Sequence, residues 1–339
     1  MKRLAKTLLY LVASTLAMPA FGAHWRASVG AQGENMGRQA MAFLPNEMWI
    51  HAGDTITWTF DSNEIHTVTF LVSGQMRPPF PVGCPPGPPP GITPSGSSVD
   101  GAHCVNTGPQ VAGQSYTVRF PVAGNFKLVC LVHSDMTGVV HVLPPGMPLP
   151  YDQAYYDRLA NDMRHALLAG MDRSLNDPDA QQLFDMRDHE AGSPRGFRHR
   201  VIAGWGVIGA TPGGHVNLAV MRFHHPVIYV RAGQTVEWDN ADPTTPHTIT
   251  FGAEPLDPTV PSGNVSTDAD GALHAVMHSR SDNVSSGFIV AEPQERTGLA
   301  QTPPGTTRFR VTFTQPGLYP YVCALHEELG MHGEVIVTK

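Results

Sequence analysis

The sequence has few cysteines, few basic residues and, beyond its N-terminus, no long apolar run. Four cysteines occur in 339 residues, and 22 Lys and Arg stand against 29 Asp and Glu, for a formal net charge of −7. A surface of this sign without clustered Lys and Arg argues against nucleic-acid binding and leaves basic protein partners possible. No segment after residue 23 is long and apolar enough to cross a bilayer. The length alone suggests two domains or one large one.

The N-terminus has the pattern of a secretory signal peptide. Lys2, Arg3 and Lys6 form a basic region, Leu8 to Met18 is largely apolar, and small residues lead up to Ala23. We therefore expect residues 1–23 to be removed and the mature protein to be periplasmic. Their removal takes three positive charges away, so the formal charge moves from −7 to −10.

Glycine and proline are abundant, with 34 and 31 residues, which indicates many turns and few long helices. Nine prolines lie between Pro78 and Pro94, and Cys84 and Cys104 lie in or just after that loop. In an oxidising compartment a disulfide between these two cysteines is the favoured interpretation, and two unpaired thiols are the alternative.

The chain contains an internal repeat. Each copy has an apolar run, an Ala-Gly turn, an alternating segment that ends on Trp, a polar loop and a His-Thr-x-Thr-Phe segment. Period-two alternation between turn residues predicts β-strands. The copies are Met48 to Trp58 with His66 to Phe70, and Val227 to Trp238 with His247 to Phe251.

The second halves of the copies also match. Each has a strand, a glycine turn, a second strand and a short closing strand, and many short strands of this kind predict one β-sandwich per copy. The predicted strands are Tyr116 to Phe120, Phe126 to Cys130 and Val139 to Val142, then Arg308 to Phe313, Tyr319 to Cys323 and Glu334 to Val337, with turns at Gly124 and Gly317. We place the two domains at residues 24–148 and 199–339.

The segment between them, residues 149–198, is predicted to be a helical and irregular linker. An apolar residue recurs every four positions, which is the stripe of an amphipathic helix. Its two methionines are interpreted as packing residues, with copper storage as the minor alternative. The stripe is Tyr155, Leu159, Met163, Leu167, Met171 and Leu175.

Near the end of each copy a strand delivers a cysteine that a histidine and a methionine closely follow. The first copy reads C-x2-H-x2-M and the second C-x2-H-x4-M, and one more histidine stands upstream at the same place in each. A thiolate and two imidazoles with a weak axial thioether suit copper that cycles between two oxidation states. Zinc is disfavoured, because methionine is a poor zinc ligand. The two candidate sets are His66, Cys130, His133 and Met136, and His247, Cys323, His326 and Met331.

On these residues the chain resembles the cupredoxin family of blue copper proteins. The second loop is similar to that of plastocyanin and pseudoazurin, and the first to that of amicyanin. The resemblance implies Greek-key β-sandwiches, two type 1 copper ions bound by the two sets above, and electron exit through His133 and His326. Two stretches, roughly residues 71–110 and 254–306, are longer than in small members of the family and are expected to be surface loops or extra hairpins.

Thr67 and Thr248, beside the upstream histidines, either orient the ligand loops by hydrogen bonding or are ordinary strand residues. The sequence leaves these two readings open.

An enzyme is the main functional alternative, because multicopper oxidases and copper nitrite reductases are also built from cupredoxin domains. Both require histidines directly beside the copper cysteine, yet Val129 and Leu131 flank Cys130, and Val322 and Ala324 flank Cys323. An additional copper site remains open for the histidines outside the two sets, which are His24, His224, His225, His274 and His278.

Copper handling or resistance is the third class, and complete ligand sets with both methionines favour redox use over storage. The sequence thus predicts an all-β protein of two Greek-key sandwiches joined by a helical linker. We expect it to act as an electron carrier, with one redox protein as donor and another as acceptor.

Overall fold

A computed structural model describes residues 22–78, 83–84, 91–176, 199–291 and 307–339. The predicted signal peptide up to residue 21, much of the linker and parts of both inserts lie outside these residues. No helix in the described part of the chain is long and apolar enough to span a membrane.

The described residues form strands β1 to β21 and one helix, α1. In chain order they are β1 (His24–Gln32), β2 (Arg38–Leu44), β3 (Glu47–His51), β4 (Thr55–Phe60), β5 (Thr69–Phe70), β6 (Ser97–Ser98), β7 (Val105–Asn106), β8 (Ser115–Arg119), β9 (Gly124–Val129), β10 (Thr137–Leu143), α1 (Gln153–Asn176), β11 (Arg200–Thr211), β12 (Gly214–His224), β13 (Val227–Arg231), β14 (Thr235–Ala241), β15 (Thr250–Phe251), β16 (Ser266–Thr267), β17 (Leu273–Met277), β18 (Val284–Ser285), β19 (Arg308–Phe313), β20 (Gly317–Val322) and β21 (His332–Thr338).

The fold is two cupredoxin-type β-sandwiches, as the sequence predicts. One five-stranded sheet, in the order β3-β10-β9-β5-β7, belongs to the first domain, and its counterpart, β13-β21-β20-β15-β18, belongs to the second. The repeated tryptophans, Trp58 on β4 and Trp238 on β14, are both fully buried in the core.

The other sheet is shared by the two domains. It has eleven strands in the order β16-β17-β19-β14-β11-β12-β2-β1-β4-β8-β6. The domains join where β12 pairs antiparallel with β2, from Asn217 opposite Met41 to Val220 opposite Arg38. The backbone ladder therefore runs without a break from one domain into the other.

Two details of the predicted strands differ in the structure. Gly124 and Gly317 begin strands β9 and β20 instead of forming turns before them. The His-Thr-x-Thr-Phe segments form only the two-residue strands β5 and β15. The strands are short because the N–H of Thr67 donates to the thiol of Cys130 instead of joining a ladder, and the N–H of Val68 donates to a side chain.

Helix α1 covers the joint between the domains. Asp152 caps its start by accepting a hydrogen bond from the N–H of Tyr155 at 2.8 Å. Met163 and Leu167 pack as predicted, on a small apolar cluster that lies on the outer face of the sheet. The cluster draws on both domains and contains Ala31, Ala40, Ala42, Leu44 and Val216.

The predicted disulfide is present. Cys84 and Cys104 are joined, so the first insert is tied to the domain, while Cys130 and Cys323 are free and buried. In the second insert, β16 and β17 form an extra hairpin at the edge of the shared sheet.

Candidate metal centres

The first centre gathers three residues that are far apart in the chain. His66 lies just before β5, Cys130 directly follows β9, and His133 lies in the loop to β10. One ligand atom of each lies within 4.8 Å of the others, and all three side chains are fully buried. Nδ1 of His133 is 3.8 Å from Sγ of Cys130.

The second centre repeats this arrangement. His247 precedes β15, Cys323 follows β20, and His326 lies in the loop to β21. Their ligand atoms also lie within 4.8 Å of one another. Sγ of Cys323 is 3.3 Å from Nδ1 of His326 and 3.8 Å from Nδ1 of His247.

Each thiol receives a hydrogen bond from the backbone of the threonine that follows the upstream histidine. The N–H of Thr67 is 3.4 Å from Sγ of Cys130, and that of Thr248 is 3.3 Å from Sγ of Cys323. The threonine hydroxyls accept in turn from the N–H of Leu131 at 2.8 Å and of Ala324 at 2.7 Å. Of the two readings of these threonines, the structure supports the orienting role.

The charges at both centres favour thiolates. Burial raises the pKa of Cys130, but His133 and His66 outweigh it and bring the pKa well below its usual value. The pKa of Cys323 is lowered in the same way, against burial, by His326 and His247. A thiolate is the form of cysteine that binds metals.

The methionines close both ligand loops. The N–H of Cys130 donates to the carbonyl of Met136 at 3.0 Å, and the N–H of Cys323 to that of Met331 at 3.1 Å. Both methionine side chains are fully buried in the core. Each predicted four-residue set is therefore held within one domain.

A glycine lies directly behind each upstream histidine. Gly30 and Gly204 sit at register shifts in β1 and β11, with positive φ of 72° at both positions. Nε2 of His66 contacts Oγ of Ser62 at 3.0 Å, and the other ring nitrogen, Nδ1, is also buried. Among the described residues, that Nδ1 has no hydrogen-bond partner, as expected of an atom reserved for a metal.

The downstream histidines lie at the contact between the domains, not at the surface. His133 is fully buried and His326 is 3% exposed. Both face Glu64, whose Oε1 is 3.3 Å from Nε2 of His133 and whose Oε2 is 3.4 Å from Nε2 of His326. The expected electron exit through these histidines thus leads from each centre toward the other domain.

The cysteines and Glu64 together raise the pKa of these two histidines. Burial lowers the pKa of His133, but Cys130 and Glu64 raise it to about 9. For His326 the same opposition, with Cys323 and Glu64 outweighing burial, raises the pKa to about 10. Burial raises the pKa of Glu64, and both histidines outweigh this and bring it well below its usual value. Sequence reasoning missed Glu64, although the repeat holds a signal: the matching position in the second copy is Thr245.

A sequence model of copper-binding proteins of the plastocyanin/azurin family matches the chain twice, over residues 31–143 and 213–338. The chain belongs to this family. It is a tandem cupredoxin, because each match covers one sandwich and one His-Cys-His group.

Solved structures similar to this cupredoxin include single-domain and larger proteins. An oxidised plastocyanin from Dryopteris crassirhizoma is 18% identical, with a TM-score of 0.22, and the match covers 41% of this chain and 99% of that one. A purple cupredoxin from Nitrosopumilus maritimus is 20% identical, with a TM-score of 0.21 and coverage of 41% and 99%. A copper-containing nitrite reductase from Thermus scotoductus is 14% identical, with a TM-score of 0.22 and coverage of 94% and 68%. No curated protein matches the chain.

The five histidines that the sequence left open for an additional copper site have other contacts or belong to neither centre in the described part of the chain. Nδ1 of His24 contacts Oγ1 of Thr55 at 2.9 Å, and His274 is held between Asp268 and Thr312. Within the described ranges, groups of three or more His, Cys, Asp or Glu side chains close enough to share a metal occur at the two cupredoxin centres, and His24, His224, His225, His274 and His278 are in neither.

Proposed function

We propose that this cupredoxin is a periplasmic electron-transfer protein with one type 1 copper ion in each domain. The ligands are His66, Cys130, His133 and Met136 in the first domain, and His247, Cys323, His326 and Met331 in the second. The observation that carries the proposal is the pair of buried His-Cys-His groups in which a backbone N–H is aimed at the thiol sulfur.

The donor set fits copper. Each centre supplies one sulfur and two imidazole nitrogens, with a buried methionine in the same loop, and soft sulfur with imidazole is the set that copper prefers. In the second centre the Nδ1 atoms of His247 and His326 lie 3.1 Å apart and point at each other. Two buried nitrogens so arranged are suited to share one cation.

The copper ion would supply a one-electron couple between its cuprous and cupric states. The protein's part is to keep the ligands still. The Thr67 and Thr248 hydrogen bonds fix the start of each loop, and the cysteine-to-methionine backbone bonds fix its end. All the proposed ligands are buried, which limits the access of water and favours a geometry that changes little between the two copper states.

Other sequence features support the location and the partners. The N-terminal pattern of residues 1–23 and the disulfide are both typical of an exported protein. A carrier requires a reducing and an oxidising partner, and the formal charge of −10 after export favours partners with basic docking surfaces.

Copper stoichiometry with visible and EPR spectra of the purified protein tests the proposal. We expect two copper ions per chain, strong visible absorption and narrow hyperfine splitting from both. A third copper ion with a type 2 signal would instead identify an enzyme, and copper without strong visible absorption would favour copper handling.

A further inference from the structure

One carboxylate lies between the two centres. Glu64 belongs to the loop of the first domain that leads to His66, and its side chain is buried. Its two oxygens divide their contacts: Oε1 is 3.3 Å from Nε2 of His133, and Oε2 is 3.4 Å from Nε2 of His326. The same residue therefore contacts a ligand-loop histidine of each domain.

These contacts complete an unbroken path between the two sulfurs. The path runs from Cys130 to His133 over 3.8 Å, to Glu64 over 3.3 Å, to His326 over 3.4 Å and to Cys323 over 3.3 Å. All five side chains are buried, so no water layer separates the steps.

The two ring nitrogens of each of these histidines face different groups. In both histidines Nδ1 points to the thiol and Nε2 points to Glu64. Nε2 of His133 is buried and lies at ion-pair distance from Oε1 of Glu64, and within the described part of the chain it makes no other polar contact that would compete for its proton. A carboxylate so placed holds the proton on Nε2 and leaves Nδ1 to bind the metal.

Further contacts hold the two ligand loops in this position. Arg222, on β12, donates to the carbonyl of Leu329 in the second loop at 2.6 Å and to that of Asn35 in the first domain at 2.7 Å. His215 contacts Asp135, in the first loop, at 3.4 Å. Together with the β2–β12 ladder, these contacts hold the two domains, and with them the two ligand loops, against each other.

Adhesion between the domains does not by itself explain a buried carboxylate. Removing a carboxylate from water is costly, and a buried ion pair adds little net stability compared with apolar packing. The corresponding position of the second copy, Thr245, shows that the loop geometry does not require a charge. What Glu64 adds is a charged contact to both centres at once.

We propose that Glu64 couples the two copper centres of this chain, by fixing both His133 and His326 and by completing the contact path along which one electron passes between the centres. This inference rests on the proposed function. In the exchange one centre loses an electron and the other gains it, no bond forms or breaks, and the Nε2 protons stay on the histidines. Glu64 is a positioning residue, since it contacts ligands and not the metal.

The test measures the reduction potentials of both centres in the copper-loaded full chain, by spectroelectrochemistry. Glu64→Gln raises both potentials, because the carboxylate favours the more positive, oxidised ion at each centre. A tenfold change in the ratio of cuprous to cupric affinity at each centre corresponds to about 59 mV for one electron. Glu34→Gln, which removes an exposed carboxylate from the same domain, leaves both potentials in place.

A second measurement follows redistribution of the electron after a pulse of less than one equivalent of radical reductant. In the wild type this step has a rate that does not depend on protein concentration. Glu64→Asp keeps the charge, but its shorter side chain loses one of the two contacts, so the potentials stay near wild type while redistribution slows. If circular dichroism shows that Glu64→Gln is unfolded, the redistribution rate of Glu64→Asp is the measurement that tests the proposal.

The outcomes separate this inference from the proposed function. Suppose that the wild type shows two type 1 signals, but Glu64→Gln shifts the reduction potential of one centre only or of neither. This result would overturn the coupling and leave the carrier function standing. A third copper ion that Glu64→Gln removes would also overturn it, because Glu64 would then be a ligand. Absence of type 1 signals in the wild type would overturn the carrier function itself.

Discussion

Gly204 lies directly against the imidazole of His247. A Cβ atom at Gly204 would be 1.9 Å from Nε2 of that histidine, and one at Gly30 would be 2.7 Å from Nε2 of His66. Both distances are far inside van der Waals contact. The absence of a side chain at these two strand positions therefore sets the place of one imidazole in each centre.

Gly204→Ala is expected to push His247 out of position and to remove most of the visible absorption of the second centre, leaving that of the first. The matched control is Gly233→Ala, since Gly233 has a φ of 88° but has nothing within 4 Å of its Cβ position. In both variants, alanine at a position of positive φ costs about 1 kcal/mol of folding stability. Equal absorption spectra for the two variants would contradict the packing argument.

Cys130→Ser and Cys323→Ser are each expected to remove about half of the visible absorption and one copper ion per chain, because each sulfur belongs to one centre. Visible spectra with metal analysis measure both effects. Loss of all absorption from either single substitution would show that one centre cannot form without the other.

Thr67→Val is expected to destabilise the metal-free protein. The substitution keeps the shape and the backbone N–H that faces Cys130, but it removes the hydroxyl that accepts from the buried N–H of Leu131. An unsatisfied buried N–H costs about 1–3 kcal/mol. Chemical denaturation of the apoprotein measures this loss of unfolding free energy. The control is Thr59→Val, at an exposed position of β4. Equal stability of the two variants would mean that the Thr67 hydroxyl has no orienting role.

The ion cluster at the edge of the second domain predicts a pH-dependent stability. The side chain of Asp270 contacts Arg310 at 2.7 Å and Arg308 at 2.8 Å. Hydrogen bonds from Arg310 and Arg308 outweigh partial burial and lower the pKa of Asp270 below its usual 3.8. A lowered pKa stabilises the fold above the unfolded-state value, and the contribution disappears as the pH falls through the folded-state value.

Asp270→Asn is therefore expected to be less stable than wild type at pH 7, with the difference shrinking below pH ~4. Because Asp270 is 41% exposed, solvent screening limits the loss to roughly 1 kcal/mol. Denaturant titrations of the apoprotein at several pH values measure it, and Asp162→Asn on α1 is the control. A stability difference that stays constant down to pH ~2 would contradict the assigned pKa shift.

The sequence predicts the local part of each centre well. Cys and His lie three residues apart in one loop, so their spacing alone brings them together, and the repeat identifies His66 and His247 as the distant partners that the structure places beside them. The sandwiches follow from alternation and turn residues, which are also local signals.

Features that depend on how the two domains meet do not follow from the sequence. The pairing of β2 with β12 and the burial of His133 and His326 arise from contacts between distant segments. In the sequence Glu64 is an ordinary polar loop residue, and its role becomes visible only from its contact with His326 of the second domain. The electron exit that the family resemblance implies through these histidines therefore points toward the other domain, which the sequence alone does not predict.

The continuous eleven-stranded sheet has a consequence for expressing either half alone. A fragment that ends before the second domain would present β2 with a row of unpaired N–H and C=O groups, where β12 pairs in the full chain. It would also lack Val216 and Leu218, which cover Ala40 and Ala42 on that edge. An open strand with apolar neighbours is a template for adding a strand from another molecule. Excised halves are therefore expected to self-associate or precipitate, whereas a chain that contains both domains pairs β2 with β12.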